Sequence, residues 1–221
     1  MFKGFSDKTV DFFWQIRFNN SREWFQPRKD EFNAVIMQPT KDLANDLYGW
    51  FQENYPDLHL NLHISRIYRD ARRLFGRGPL KDHLWFSFQN EIDKRAEAPC
   101  FWFELGCDGY GYGMGFYNAG ADMAARYRRH IDLDPGKMEK LAADFEKQEI
   151  FRLEGPEYAK AKGHKGDAIE HWYNKRYFSL SCSRNYDALS YSPELADALK
   201  DGFRYLMPYF EFVDKVYRAA D

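Results

Sequence analysis

Apolar residues recur at helical spacing from the start of the chain. Val10, Phe13 and Trp14 follow Ser6, and Phe25, Phe32 and Ile36 follow Ser21, so each serine reads as the N-cap of an amphipathic helix. Pro39 is expected to kink or break the second helix, because an interior proline removes a donor and crowds the preceding turn. Leu43, Leu47 and Trp50 then resume the stripe until Asn54-Tyr55-Pro56 ends it. The period changes in residues 63–68, 84–88 and 98–116, which are rich in β-branched or aromatic residues and read as strands. Helical spacing returns over 122–130 and again after Asp134-Pro135, a cap followed by proline at the first helical position. A short strand is expected over 177–181. Ser192-Pro193-Glu194 then opens a last helix with Leu195, Leu199, Phe203, Leu206 and Phe210 on one stripe, bent by Pro208. Helices at both ends with strands between them predict an α+β fold, with a mostly antiparallel central sheet and helices from both termini packed on it. No repeat or linker interrupts the chain, so residues 1–221 are expected to form a single domain.

The run from Cys100 to Phe116 alternates around Asp108-Gly109, a pair suited to a two-residue type I′ turn. Such a turn puts Phe101, Phe103, Leu105, Tyr112 and Met114 on one face, which is expected to be core. The other face carries Gly106, Gly111, Gly113 and Gly115 beside Trp102 and Glu104. Glycines on one face of a strand imply that something approaches the backbone there, either a tightly packed helix or a ligand. This is neither a phosphate loop, since Gly-Lys-Ser/Thr is absent, nor a dinucleotide fingerprint.

Composition narrows the class. The chain has 221 residues, of which 44% are hydrophobic and 19% aromatic, so it has material for a core and disorder is disfavoured. No apolar run reaches transmembrane length and no signal-type segment follows Met1, which predicts a cytoplasmic protein without membrane contact. Three cysteines without a Cys-x-x-Cys indicate neither a disulfide framework nor a thiolate metal site. The 32 Lys and Arg against 34 Asp and Glu give a net charge of minus two, yet residues 66–83 hold six positive and two negative side chains. That segment is therefore plus four in a remainder of minus six. Guanidinium groups bind phosphate or carboxylate in bidentate fashion, so Arg66, Arg69, Arg72, Arg77 and Lys81 are candidate anion ligands.

Arg66, Arg69, Asp70, Arg72, Pro79, Lys81 and His83 also carry a resemblance. They match the hallmark Arg-x-x-Arg-Asp-x-Arg-Phe, then Asp/Asn-Lys, then Pro-Tyr-Lys-x-His, of the uncharacterised bacterial family catalogued as domain of unknown function 2461. The likeness extends through Gly4-Phe5-Ser6, Asn19-Asn20-Ser21-Arg22-Glu23-Trp24-Phe25, Gly115-Phe116-Tyr117 and residues 195–208, nearly the whole chain. Arg73 replaces the usual Phe, Gly76 the Asp/Asn, Arg77 the Lys and Leu80 the Tyr. Those changes keep a cation at Arg77 and remove an acceptor and a hydroxyl. The resemblance implies the location of a site and brings no established activity.

Three functions fit these features. The leading one is an enzyme or sensor for a small anionic, for example phosphorylated, ligand. Here Asp70 and His83 are the candidates for proton transfer, because a carboxylate among guanidiniums stays ionised and a histidine changes state near neutral pH. The second is a nucleic-acid or ribonucleoprotein binding module, against which the acidic remainder counts. The third is a structural or protein-interaction role, with Arg69 and Asp70 as a buried ion pair. No cofactor is signalled, and no metal site either: His59 and His63 stand about 13 Å apart if extended, too far to share an ion. Oligomeric state is not legible at this level.

Overall fold

Helix α1 (Asp7–Phe18) starts at Ser6 and α2 (Arg22–Phe25) at Ser21, whose hydroxyl accepts the Trp24 N–H at 3.1 Å. In the computed structural model, which describes residues 1–90, 98–117 and 119–219, α3 (Lys29–Phe32) leads through a π-helical turn (Asn33–Met37) into α4 (Gln38–Asn54). Pro39 therefore does not break the helix. It cannot donate to the Val35 carbonyl, and Thr9 of α1 supplies the missing donor, its Oγ1 bonding Val35 O at 2.7 Å. The same oxygen accepts the Ser6 N–H at 3.2 Å.

Strands β1 (Leu60–Ile64), β2 (His83–Asn90), β3 (Cys100–Gly106), β4 (Gly109–Gly115), β5 (Arg152–Glu154) and β6 (Ser179–Arg184) form an antiparallel sheet in the order β1-β2-β3-β4-β6-β5. Between β4 and β5 lie α5 (Ala121–Leu133) and α6 (Pro135–Phe145). Asp134 caps α6 by accepting the Lys137 N–H at 3.3 Å, and Pro135 is its first residue. A short α7 (Glu170–Tyr173) precedes β6, and α8 (Leu195–Arg218) closes the chain, running through Pro208. The fold is α+β.

The chain divides into two compact units. The first comprises Met1–Phe88, Trp102–Tyr112 and Ser183–Asp201, and in its core Phe103 stacks on Phe5 at 6.1 Å and on Phe86 at 5.1 Å. The second comprises Gln89–Phe101, Gly113–Cys182 and Gly202–Asp221, and there Phe101 stacks on Phe210 at 4.6 Å and meets the edge of Phe203 at 5.2 Å.

The hairpin keeps its expected faces. Phe101, Phe103, Leu105, Tyr112 and Met114 are all buried, while Glu104 is exposed and Trp102 partly so. Its turn falls at Cys107-Asp108, one position earlier than Asp108-Gly109. A type I′ turn needs positive φ at both central residues, and Asp108 does not adopt it; Gly109 alone of the pair does, at φ 150°. Gly113 and Gly115 are explained by β6 rather than by a helix, whereas Gly106 lies against Asp82 and His83 at the start of β2. A Cβ on Gly113 would lie 2.1 Å from Leu180 O, and one on Gly115 2.8 Å from Phe178 O. Backbone of the neighbouring strand fills the space that side chains would occupy.

Candidate functional site

Beyond the start of β2 the chain forms a two-stranded arm. Ser65 N–H bonds Trp85 O, Lys81 N–H bonds Ile67 O and Arg69 N–H bonds Pro79 O, each at 2.8 Å, leaving the connection from Asp70 to Gly78 at the tip. Asn20 anchors this arm from the α1–α2 connection. Its amide donates to Leu80 O at 2.9 Å and accepts the Leu80 N–H at 2.8 Å. Gly78 permits that approach, since a Cβ there would lie 2.3 Å from the Asn20 side chain.

The arm separates the residues of the basic segment. Arg72 extends into solvent and pairs with Asp70 at 2.8 Å; Asp70 in turn caps the turn Ala71–Arg73 by accepting the Arg72 N–H. Arg77 is exposed near the tip, and the Arg73 side chain lies outside the described part of the structure. Arg69 turns inward. Its Nε donates to Leu80 O at 3.0 Å and its terminal nitrogen meets Asp82 at 3.5 Å, so its partner is Asp82 and not Asp70. Arg66 is exposed and forms no ion pair among the described residues.

Lys81 is placed differently from the arginines. It is partly buried, its Nζ lies 5.8 Å from the centre of the Trp85 ring, and no carboxylate of the described residues stands within ion-pairing distance. Burial pushes its ammonium down to about 8; Arg69 and Arg66 push in the same direction, against Glu104. Leu84 and Phe86 of β2 are buried, so the alternating His83 and Trp85 occupy the opposite, open face with Trp102 and Glu104 of β3.

A cleft of about 510 Å³ opens on that face. His83, Trp102, Glu104 and Gly106 form part of its lining, with Arg17 and Asp82 at one side and Ser183 to Asn185 at the other. Asp82 is its electrostatic hub. It meets Arg17 at 2.8 Å, Arg69 at 3.5 Å and His83 Nδ1 at 3.4 Å, while Arg17 also reaches Asp108 at 3.0 Å. Burial alone would raise the Asp82 carboxyl, but hydrogen bonding from Arg17, the Arg17 charge and His83 hold it below the usual value. Cys107, whose thiol lies 3.7 Å from Asp82 O, is pushed up to about 11 by burial and is not a thiolate near neutral pH.

A carboxylate whose folded pKa is depressed contributes stability that is present above its unfolded value, about 3.9, and is lost as pH falls through the folded value. Asp82→Ala is accordingly expected to cost about 2 kcal/mol at neutral pH, the size of a lost charge-assisted hydrogen bond. The loss should vanish at acid pH, as read by urea denaturation across the pH range. An equal cost at all pH values would show that the carboxylate's charge contributes nothing.

Sequence reasoning missed Arg17, Asn20, Trp85 and Ser183 to Asn185 as parts of this region. A second cleft, about 640 Å³, lies in the other unit near Glu157 and His171, which pair with each other at 3.1 Å. Among the described residues no group of three or more His, Cys, Asp or Glu is arranged to hold a metal ion, and no helix is long and apolar enough to cross a membrane.

These features define an α+β protein whose antiparallel sheet carries a charged, partly aromatic face beside an arginine-rich arm. The chain belongs to the family described as "Conserved hypothetical protein (DUF2461)", whose sequence model matches residues 8–212. No curated protein matches it.

Proposed function

We propose that the chain binds a small anionic ligand, of which a phosphorylated one is an example, on the open face of β2 and β3, through Lys81, Arg66 and His83. One observation carries this reading: Lys81 is drawn out of bulk water beside two guanidinium groups without an ion-pairing carboxylate. Holding like charges together in a partly desolvated place costs stability, and a bound anion would recover it. Asp70, Arg72 and Arg77 stay outside the proposed contacts, the first two because they pair with each other at the arm's tip. His83 is retained as the proton-transfer candidate, since it lines the cleft with Nδ1 beside Asp82.

Inorganic phosphate at about a hundred times its Kd is expected to stabilise the wild-type chain by about 2.7 kcal/mol over chloride of equal ionic strength. Arg66→Ala and Lys81→Met should remain folded and lose most of that gain. Equal stabilisation of all three proteins would overturn the reading.

A second reading is favoured by Arg69, whose guanidinium joins Leu80 O and Asp82 and so ties the arm to the start of β2. Here the motif is structural. Arg69→Ala then weakens the free protein by about 2 kcal/mol and leaves the phosphate response of the folded fraction intact.

A further inference from the structure

We propose that the cleft on the open face of β3 binds a neutral sugar, held by Trp102, Glu104, Ser183 and Asn185. The inference goes beyond the anion reading and does not draw on Lys81 or Arg66, neither of which lines the cleft. At about 510 Å³ the cleft falls within the range of small-molecule sites, about 300–1,000 Å³. Its unused bonding groups define the ligand. Trp102 and Glu104 stand two positions apart on β3, so both side chains rise from the same face. Part of the Trp102 ring is exposed, while its Nε1–H is buried and meets no acceptor among the described residues. A buried donor left unpaired costs stability, and native chains rarely keep one. Glu104 is exposed and forms neither a hydrogen bond nor an ion pair among the described residues. At the other side of the cleft the exposed Ser183 and Asn185 side chains make no hydrogen bond among those residues either. The cleft thus offers one indole donor, one carboxylate acceptor and two groups that both donate and accept, around an aromatic surface.

Charge argues against the other ligand classes. Both guanidinium groups of the lining are occupied, Arg17 by Asp82 and Asp108 and Arg184 by Asp187 at 2.7 Å. An anion would meet no unpaired guanidinium in the cleft. An organic cation would find one partly exposed indole in place of an aromatic cage, and the charge of Lys81 already acts on Glu104. A sugar asks for what is present: each hydroxyl donates one bond and accepts others, and the C–H faces of its ring pack on an aromatic side chain.

The test is calorimetric titration of the full chain with glucose, galactose, mannose, xylose, N-acetylglucosamine, maltose, cellobiose and lactose, and with adenosine and tetramethylammonium chloride as members of other classes. At least one sugar should bind with a Kd of about 1 mM or below, and neither of the other two compounds should. Trp102→Phe removes the N–H and keeps an aromatic ring. It should weaken that sugar by about 3–10-fold while the unliganded chain melts within about 4 °C of the wild type, because a donor without a partner holds nothing in the free protein. Glu104→Gln should weaken the same sugar by about 10-fold, the difference between a charged and a neutral acceptor. Failure of every sugar overturns the proposal, as does tighter binding of adenosine or tetramethylammonium, or an affinity unchanged in both variants. Sugar binding in a chain that phosphate does not stabilise removes the anion reading and leaves this one standing.

Discussion

Gly113→Ala is expected to lower stability by about 3 kcal/mol or more, at the upper end of what added volume costs in a packed interior. The new methyl group would sit 2.1 Å from the Leu180 carbonyl oxygen, and that oxygen belongs to the backbone of β6. No side-chain rotation relieves such a contact; the strand itself has to move. Gly49 provides the contrast. It lies inside α4 with nothing within 4 Å of the position its Cβ would take, so Gly49→Ala should stabilise by about 0.5–1 kcal/mol. Chemical denaturation of both variants reads the difference directly. A Gly113→Ala chain as stable as wild type would show that β6 does not need the glycine.

Phe101→Ala is expected to cost about 3–5 kcal/mol, the range for deleting a buried phenyl ring. Its ring is fully buried and stacked on Phe210 at 4.6 Å with Phe203 at its edge, so the cavity would be walled by two rings of α8. Phe101→Leu should recover about half of the loss, because most of the volume returns without the stacking. If both substitutions cost under about 1 kcal/mol, the hairpin's apolar face is not central to the core.

Local signals were legible in the sequence wherever one element contained both partners. Ser21 and Asp134 cap the helices they precede, and the faces of the hairpin follow from a period of two, which survives a turn displaced by one residue. Partners distant in sequence were not legible. Gly113 and Gly115 of β4 meet a segment more than sixty residues further on, beyond the reach of the local pattern, which offers only a helix or a ligand as the filler. Arg69 finds Asp82 across the arm instead of the adjacent Asp70, because antiparallel pairing brings position 69 beside 80 and sends Asp70 to the tip. Arg17 reaches the same carboxylate from α1, sixty-five positions away. The three-residue β5 is too short to show any period. Lys81 was marked by the family hallmark, but its burial is a property of the folded arm.

The hydroxyl of Thr9 links the first two long helical segments through a single atom. It closes the start of α1 and also satisfies the carbonyl that Pro39 leaves without its donor. A proline within a helix is ordinarily a place where amide exchange with solvent begins, since the bond ladder is already open there. In this chain that opening is latched to another helix by a fully buried side chain. The turn before Pro39 and the cap of α1 are accordingly expected to open together, and amide exchange around Pro39 to be slower in the wild-type chain than in Thr9→Val, which lacks the shared hydroxyl.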